Sequence, residues 1–441
     1  MITPKLNQQI RSLLFLVSLS LLACTTLSVQ AIEIGSYYTG WSAEDGFRLK
    51  QVALAGLADK LTFLNYAFEN VYKMPDGSYR CASGNDIEDH TDGLGMRASL
   101  DYANHFTAEE SVDGSADHDG QALAGNFNQI RQLKAHYPQL KVMLALGGGE
   151  WSRWFSAAAA TPASRRTLVA SCLDLYIKGN LPQFKNHGGP GAAAGLFDGI
   201  DMDWEHPGLH GAPYNTVSPK DKQNFTLLLA EFRKQLNAIG RQDGKRYYLT
   251  AAINSTAQHM AHTEPARYSQ YLDWINLMNY DFHGAWKKTG PTDFQSNLYS
   301  DPNSPDPAAP SVDKGIQRFV SAGVAPQKIV LGIPFYARGW SGVAAENHGL
   351  YQPALDPAKG FEAGAERYSN IVTRPAARFY HPVTRQLWTY DDGTFWTYDD
   401  PLVIHEKVDY VRQHQLGGMM SWSLDQDDAN FTLSNAMAEL R

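Results

Sequence analysis

The chain is 441 residues long, 43% hydrophobic and 12% aromatic, which supplies a large core and excludes intrinsic disorder. Its formal net charge is −8 with no basic run or stripe, so nucleic acid and anionic membrane surfaces are excluded as partners. A neutral polymer stays compatible with such a surface.

At the N-terminus, Lys5 and Arg11 precede the apolar run Leu13 to Leu22, and Val29-Gln30-Ala31 suits signal cleavage before Ile32. Residues 1–31 are therefore predicted to be an export signal, and the mature chain to be secreted, extracellular or periplasmic. The run is too short and too interrupted by Ser and Thr to span a bilayer. Leu21-Leu22-Ala23-Cys24 also resembles a lipoprotein cleavage box, so lipid attachment at Cys24 is the alternative fate. Of the other cysteines, Cys81 and Cys172 can pair in an oxidising compartment, which their sequence separation does not decide. Neither has the spacing of a metal site, and no metal or cofactor is expected.

Through the rest of the chain, short apolar runs alternate with amphipathic stretches. The predicted strands are Ile32–Tyr38, Lys60–Phe68, Lys141–Leu146, Gly199–Trp204, Tyr248–Ile253, Trp274–Tyr280, Ile329–Phe335 and Met419–Ser423. Helical patterns between them include Phe127–His136, Arg165–Lys178, Lys220–Ile239, Lys314–Ala322 and Leu402–Gln415. Eight βα units predict an α/β fold, a closed (β/α)8 barrel whose chemistry sits at the C-terminal ends of its strands.

Two stretches break the repeat. Lys73 to about Gly125 is Gly-, Asp- and Ser-rich and reads as a long insertion after the second strand. Residues 341–400 carry short aromatic strand-like pieces around turn signals such as Asp392-Gly393, predicting a small α+β module inserted after strand seven. The barrel then comprises 32–340 and 401–441. There is no internal repeat and no Pro/Thr/Ser-rich linker to a further module.

The most informative segment is Asp198-Gly199-Ile200-Asp201-Met202-Asp203-Trp204-Glu205. Strand period two puts Asp201, Asp203 and Glu205 on one face and Ile200, Met202 and Trp204 on the other. If the apolar face packs on the helices, three carboxyls point into the barrel. Unpaired buried carboxylates cost several kcal/mol each, so a stack of them is retained for chemistry rather than for structure. An edge strand with a solvated acidic face is the bland alternative. A hard-cation site lacks the extra oxygen-rich loop it would need, and His206 has the wrong parity to join. Stacked carboxyls push each other's pKa apart, the ionised member below raising the one above, which makes Glu205, nearest the mouth, the natural general acid.

This segment matches the DxxDxDxE signature of family-18 glycoside hydrolases, the chitinases with a (β/α)8 barrel, and the rest of the chain resembles that family in the same order. Ala145-Leu146-Gly147-Gly148 is similar to the family's SxGG strand, with Ala145 in place of the usual Ser. Met278-Asn279-Tyr280-Asp281-Phe282 resembles its MxYD segment, and Gly332–Arg338 and Gly417–Trp422 resemble its last two strands. The insertion is similar to the α+β domain that deepens the cleft in one subfamily.

The resemblance implies cleavage of chitin or chitooligosaccharides by a retaining, substrate-assisted reaction in which the substrate's 2-acetamido oxygen is the nucleophile. Glu205 is then the acid and base, while Asp203 orients the acetamide and stabilises the oxazolinium intermediate. Asp201 holds Asp203, Tyr280 donates to the acetamido carbonyl, and Asp281 binds the distorted sugar and adjusts the acid. Trp422 is expected under the scissile sugar, with Met278 beneath the acetamido pocket. Trp151, Trp286 and Arg338 are candidates for neighbouring contacts, with ordinary packing or a salt bridge as the alternative for each. Trp204 and Trp274 are expected in the core. A monomer without a protein partner is expected. The other functional readings are an endo-β-N-acetylglucosaminidase acting on N-glycans and a non-catalytic chitin-binding lectin, the latter disfavoured by the presence of Glu205, Asp203 and Tyr280.

Overall fold

The computed structural model describes residues 32–87, 92–306 and 308–441; the predicted signal segment and Cys24 lie outside them. Eight parallel strands close into a barrel: β1 (Glu33–Thr39), β2 (Phe63–Glu69), β3 (Lys141–Gly147), β4 (Gly199–Asp203), β5 (Tyr248–Asn254), β6 (Trp274–Met278), β7 (Ile329–Pro334) and β8 (Gly418–Trp422), with β8 pairing back to β1. The expected barrel is thus the observed one.

Inward and outward side chains form two separate cores. Ile200 and Met202 of β4 and Trp204 just after it join the layer between barrel and helices, where Trp204 stacks on Phe155 with ring centroids 5.6 Å apart. A smaller core fills the barrel itself, built on Phe63, Trp274, Val330 and Met420, with Ala145 among them. Trp274 brings its polar edge with it and donates to Asn276 Oδ1 at 3.1 Å, as a buried indole must.

The helices begin where the sequence places caps. Thr161 accepts from Ser164 N ahead of Pro162–Tyr176, and Ser311 accepts from Lys314 N ahead of Val312–Ser321. Asp400 accepts from Val403 N ahead of Pro401–Gln413, whose first residue is a proline. Along Val312–Ser321, Val312, Ile316 and Phe319 recur at helical spacing and are buried, each contributing about 1.5–3 kcal/mol. Among the described residues, no helix is long and apolar enough to cross a membrane.

The insertion after β7 is an antiparallel sheet ordered Asp356–Pro357, Tyr336–Ser341, Thr394–Tyr398, Gln386–Asp391, Ala377–His381, with Ala365–Arg367 also pairing on Tyr336–Ser341. The chain leaving β7 passes directly into the strand Tyr336–Ser341, so the sheet takes in residues ahead of 341. Asp392 and Gly393 make its tight hairpin, both at positive φ (40° and 74°), the conformation a two-residue turn between twisted strands requires. The earlier insertion holds the hairpin Val71–Lys73/Tyr79–Cys81. Cys81 is bonded to Cys172 of the helix Pro162–Tyr176, with 4.8 Å between their Cα atoms, so the pairing left open by sequence is formed.

Candidate active site

Asp201 lies fully buried in the barrel, and four donors from four different strands meet it. Tyr37 Oη (2.5 Å) and Asn65 Nδ2 (3.1 Å) donate to Oδ2, while Thr250 Oγ1 (2.5 Å) and Asn276 Nδ2 (3.1 Å) donate to Oδ1. Burial pushes its carboxyl up, and the hydrogen bonds from Thr250, Tyr37 and Asn276 pull it back. None of these donors was singled out in the sequence. Their trace there is a polar residue in the middle of an otherwise apolar strand, as in Leu64-Asn65-Tyr66 and Ile275-Asn276-Leu277.

Asp203, one layer higher, is surrounded differently. Its Oδ1 is buried with no hydrogen-bond partner among the described residues. Burial, then the charges of Glu205 and Asp201, push its carboxyl well above the usual range. Asp201 therefore acts on Asp203 through charge, because its own oxygens are occupied by the four donors beneath.

Glu205 follows the end of β4. Its backbone N–H donates to Ser152 Oγ (2.8 Å) and its carbonyl accepts from Asn215 Nδ2 (2.9 Å), which fixes the chain where the strand leaves the barrel. Burial first and the charge of Asp281 second push the carboxyl from 4.5 up to about 7. Glu205 and Asp203 thus push on each other as stacked carboxyls do, and Asp281 raises Glu205 further. His206 Nε2 stands 3.5 Å from Glu205 Oε2, but burial and His259 push this imidazole down to about 3, so the contact is not an ion pair at neutral pH.

The backbone of β3 closes tightly against this turn. Gly148 N donates to the Asp203 carbonyl at 2.7 Å, and a Cβ at Gly147 (φ 115°) would stand 2.1 Å from that oxygen, so only glycine fits.

Asp281 occupies the left-handed region (φ 56°), unusual for a residue with a side chain, and Arg338 grips its carboxylate through Nε (2.7 Å) and Nη2 (3.0 Å). Arg338 thus resolves as an ion-pair partner of Asp281.

Asp203, Glu205, Met278, Tyr280, Asp281, Arg338 and Trp422 all line one cavity of about 280 Å³ at the C-terminal mouth of the barrel. A second cavity, of about 370 Å³, contains Trp151 and shares Trp41, Phe68, Gly149, Glu362 and Trp422 with the first, so the two form one groove. Trp422 stacks on Phe68 (5.4 Å, 18° between planes) and leans on Tyr37. Phe361, Glu362 and Arg367 reach the groove from the insertion after β7, and Arg367 bonds Asp45 of the segment after β1 at 2.7 Å. Trp41, Phe68 and Tyr336 line it without having been singled out in the sequence. Trp286 stands apart: it is 61% exposed, lines neither cavity, and packs over the Arg338 guanidinium at 5.3 Å.

This arrangement agrees with what the chain resembles. The model of glycosyl hydrolases family 18 matches residues 33–427. The chain belongs to glycosyl hydrolase family 18. Among relatives of this family-18 chain, Chitinase C of Streptomyces lividans is 34% identical over 399 residues, covering 89% of the chain and 57% of the relative. Chitinase A1 of Niallia circulans is 33% identical, covering 95% of the chain and 60% of the relative. The chain thus spans under two thirds of the length of these curated relatives. The catalytic domain of psychrophilic chitinase B from Arthrobacter TAD20 superposes with a TM-score of 0.86 at 40% identity, covering 93% of the chain and 95% of that domain.

Proposed function

We propose that this family-18 chain is a chitinase that hydrolyses β-1,4 bonds between N-acetylglucosamine units with retention of configuration. The observation that carries the reading is a pair of stacked carboxyls lining one groove, both raised by burial and by neighbouring charges. Asp203 is buried with an unpartnered oxygen, and Glu205 above it is held protonated to about pH 7.

An acid poised near neutrality suits protonation of the glycosidic oxygen. As the C1–O bond breaks, Glu205 delivers its proton to the leaving sugar, and the acetamido oxygen of the bound sugar attacks C1 to form an oxazolinium ion. Asp203 Oδ1 accepts the acetamide N–H, and the positive charge that develops there offsets the burial that holds the Asp203 carboxyl high, so that its ionised form stabilises the intermediate. Tyr280, buried in the same groove, donates to the acetamido carbonyl and holds it in line for attack. Glu205, now ionised, takes a proton from water, whose oxygen adds to C1 and opens the intermediate. Asp281 acts on the acid through its charge, and Arg338 keeps that charge in place. Trp422 offers an aromatic floor to the sugar, and Trp151 offers a further surface along the groove. Substrates lacking a 2-acetamido group lack the nucleophile.

Secretion as a monomeric enzyme after cleavage before Ile32 belongs to this reading, an extracellular polymer being out of reach of a retained enzyme. Incubation with chitotetraose and with a high-mannose glycoprotein tests it: cleavage of the tetramer alone, blocked by a thiazoline analogue of the intermediate, is expected. Release of the N-glycan, or cleavage of neither, would overturn it.

A further inference from the structure

Away from the groove, His105, Asp119 and His187 place one ligand atom each within 4.8 Å of one another, although they come from separate segments. His105 follows the helical turn Ser99–Ala103, Asp119 lies in the loop before the helix Gly125–His136, and His187 belongs to the hairpin Leu181–Phe184/His187–Gly189. None of the three lines the substrate groove.

His187 is 1% exposed, and its Nδ1 lies 2.8 Å from the carbonyl of Gln121. A carbonyl only accepts, so Nδ1 carries the proton and the lone pair of Nε2 points the other way. That is the arrangement by which a backbone carbonyl orients a metal-binding imidazole. Nε2 of His105 stands 3.1 Å from Nε2 of His187, close to the roughly 3.3 Å separating two nitrogens on one tetrahedral zinc ion with bonds of about 2.0–2.1 Å. Asp119 Oδ1, 3.7 Å from the same His105 nitrogen, adds a negative charge. The loop that presents His105 and Asp119 is organised in advance: buried Asp117 accepts from the N–H groups of Phe106 (3.0 Å) and Gly125 (3.1 Å) and from Asn128 Nδ2 (2.5 Å).

We propose that His105, Asp119 and His187 bind one borderline divalent metal ion, Zn²⁺ being the representative, which straps the loop before Gly125–His136 to the hairpin at His187. Two imidazoles and a carboxylate are the donor set such ions prefer, and three protein ligands leave a coordination position for water. The site is independent of sugar chemistry and adds local stability by binding only the folded chain.

The test uses the untagged full chain, stripped with a chelator and dialysed, then titrated with ZnCl₂ at pH 7.5 while bound metal and thermal unfolding are followed. Because the sequence holds 14 histidines, the variants decide the site. The side chains of His105 and Asp119 are 38% and 83% exposed, so His105→Ala and Asp119→Asn leave the packing intact. One Zn²⁺ per wild-type chain is expected. His105→Ala should weaken uptake by more than the roughly 10-fold to 100-fold that even outer-sphere partners cost. The unfolding midpoint should rise with Zn²⁺ in the wild type and stay flat in His105→Ala. No stoichiometric uptake, as when a shared proton alone joins the two imidazoles, would overturn the site. So would uptake unchanged in His105→Ala, or uptake that leaves the wild-type midpoint unmoved.

Discussion

Replacing Glu205 with glutamine keeps the shape of the side chain and removes its proton equilibrium. In the folded chain burial and the charge of Asp281 push that carboxyl up to about 7, against 4.5 for an exposed glutamate. The folded value is the higher one, so on raising the pH the unfolded chain loses its proton first, and stability falls between about pH 4.5 and pH 7. At roughly 1.4 kcal/mol for each pH unit between the two values, the penalty carried by the wild type above pH 7 is about 3 kcal/mol. Glu205→Gln escapes it. With an unfolding entropy of about 2.1 cal/mol/K per residue, 441 residues convert this into a midpoint about 3 °C higher for the variant at pH 8, with little difference at pH 4.5. The same variant should turn over substrate at least about 10²-fold more slowly, the scale of losing a general acid. Thermal unfolding of both proteins at pH 4.5, 6 and 8 is the assay. A midpoint difference that does not change with pH would refute burial of an ionisable Glu205 as the source of its raised pKa, and so the account of how the acid stays protonated.

Asp281→Asn removes the charge that, after burial, holds the Glu205 proton, so the basic limb of kcat/KM should move to lower pH; profiles from pH 4 to 9 check it, and an unmoved limb rejects the coupling. Breaking the Cys81–Cys172 bond with Cys81→Ser releases a loop of sequence separation 91 and should cost about 4–5 kcal/mol in urea unfolding. A loss below about 1 kcal/mol would mean that the unfolded chain is not restrained by this link.

Much of the fold was legible because it depends on local periodicity. Each barrel strand is a short apolar run, and its ends were found within a few residues of those observed, such as Gly199–Trp204 against Gly199–Asp203. Side-chain parity within β4 follows from strand geometry alone, so the shared face of Asp201 and Asp203 was readable before any neighbour was known. The Asp392-Gly393 turn was readable for the same reason, since positive φ at two successive residues is a local demand.

What surrounds those residues was not local. Tyr37, Asn65, Thr250 and Asn276 converge on Asp201 from β1, β2, β5 and β6, up to 164 positions away, and only closure of the barrel with its particular stagger brings them to one carboxylate. The same holds for Arg338 on Asp281, 57 positions apart, and for Trp286, whose ring packs over that arginine. The burial that raises Glu205 likewise depends on walls from distant segments. The sequence by itself thus determined which side chains share a face, because a strand repeats every two residues. Only the tertiary structure decided which of those faces meet, because contact between strands depends on barrel closure and on loops whose paths no short-range pattern encodes.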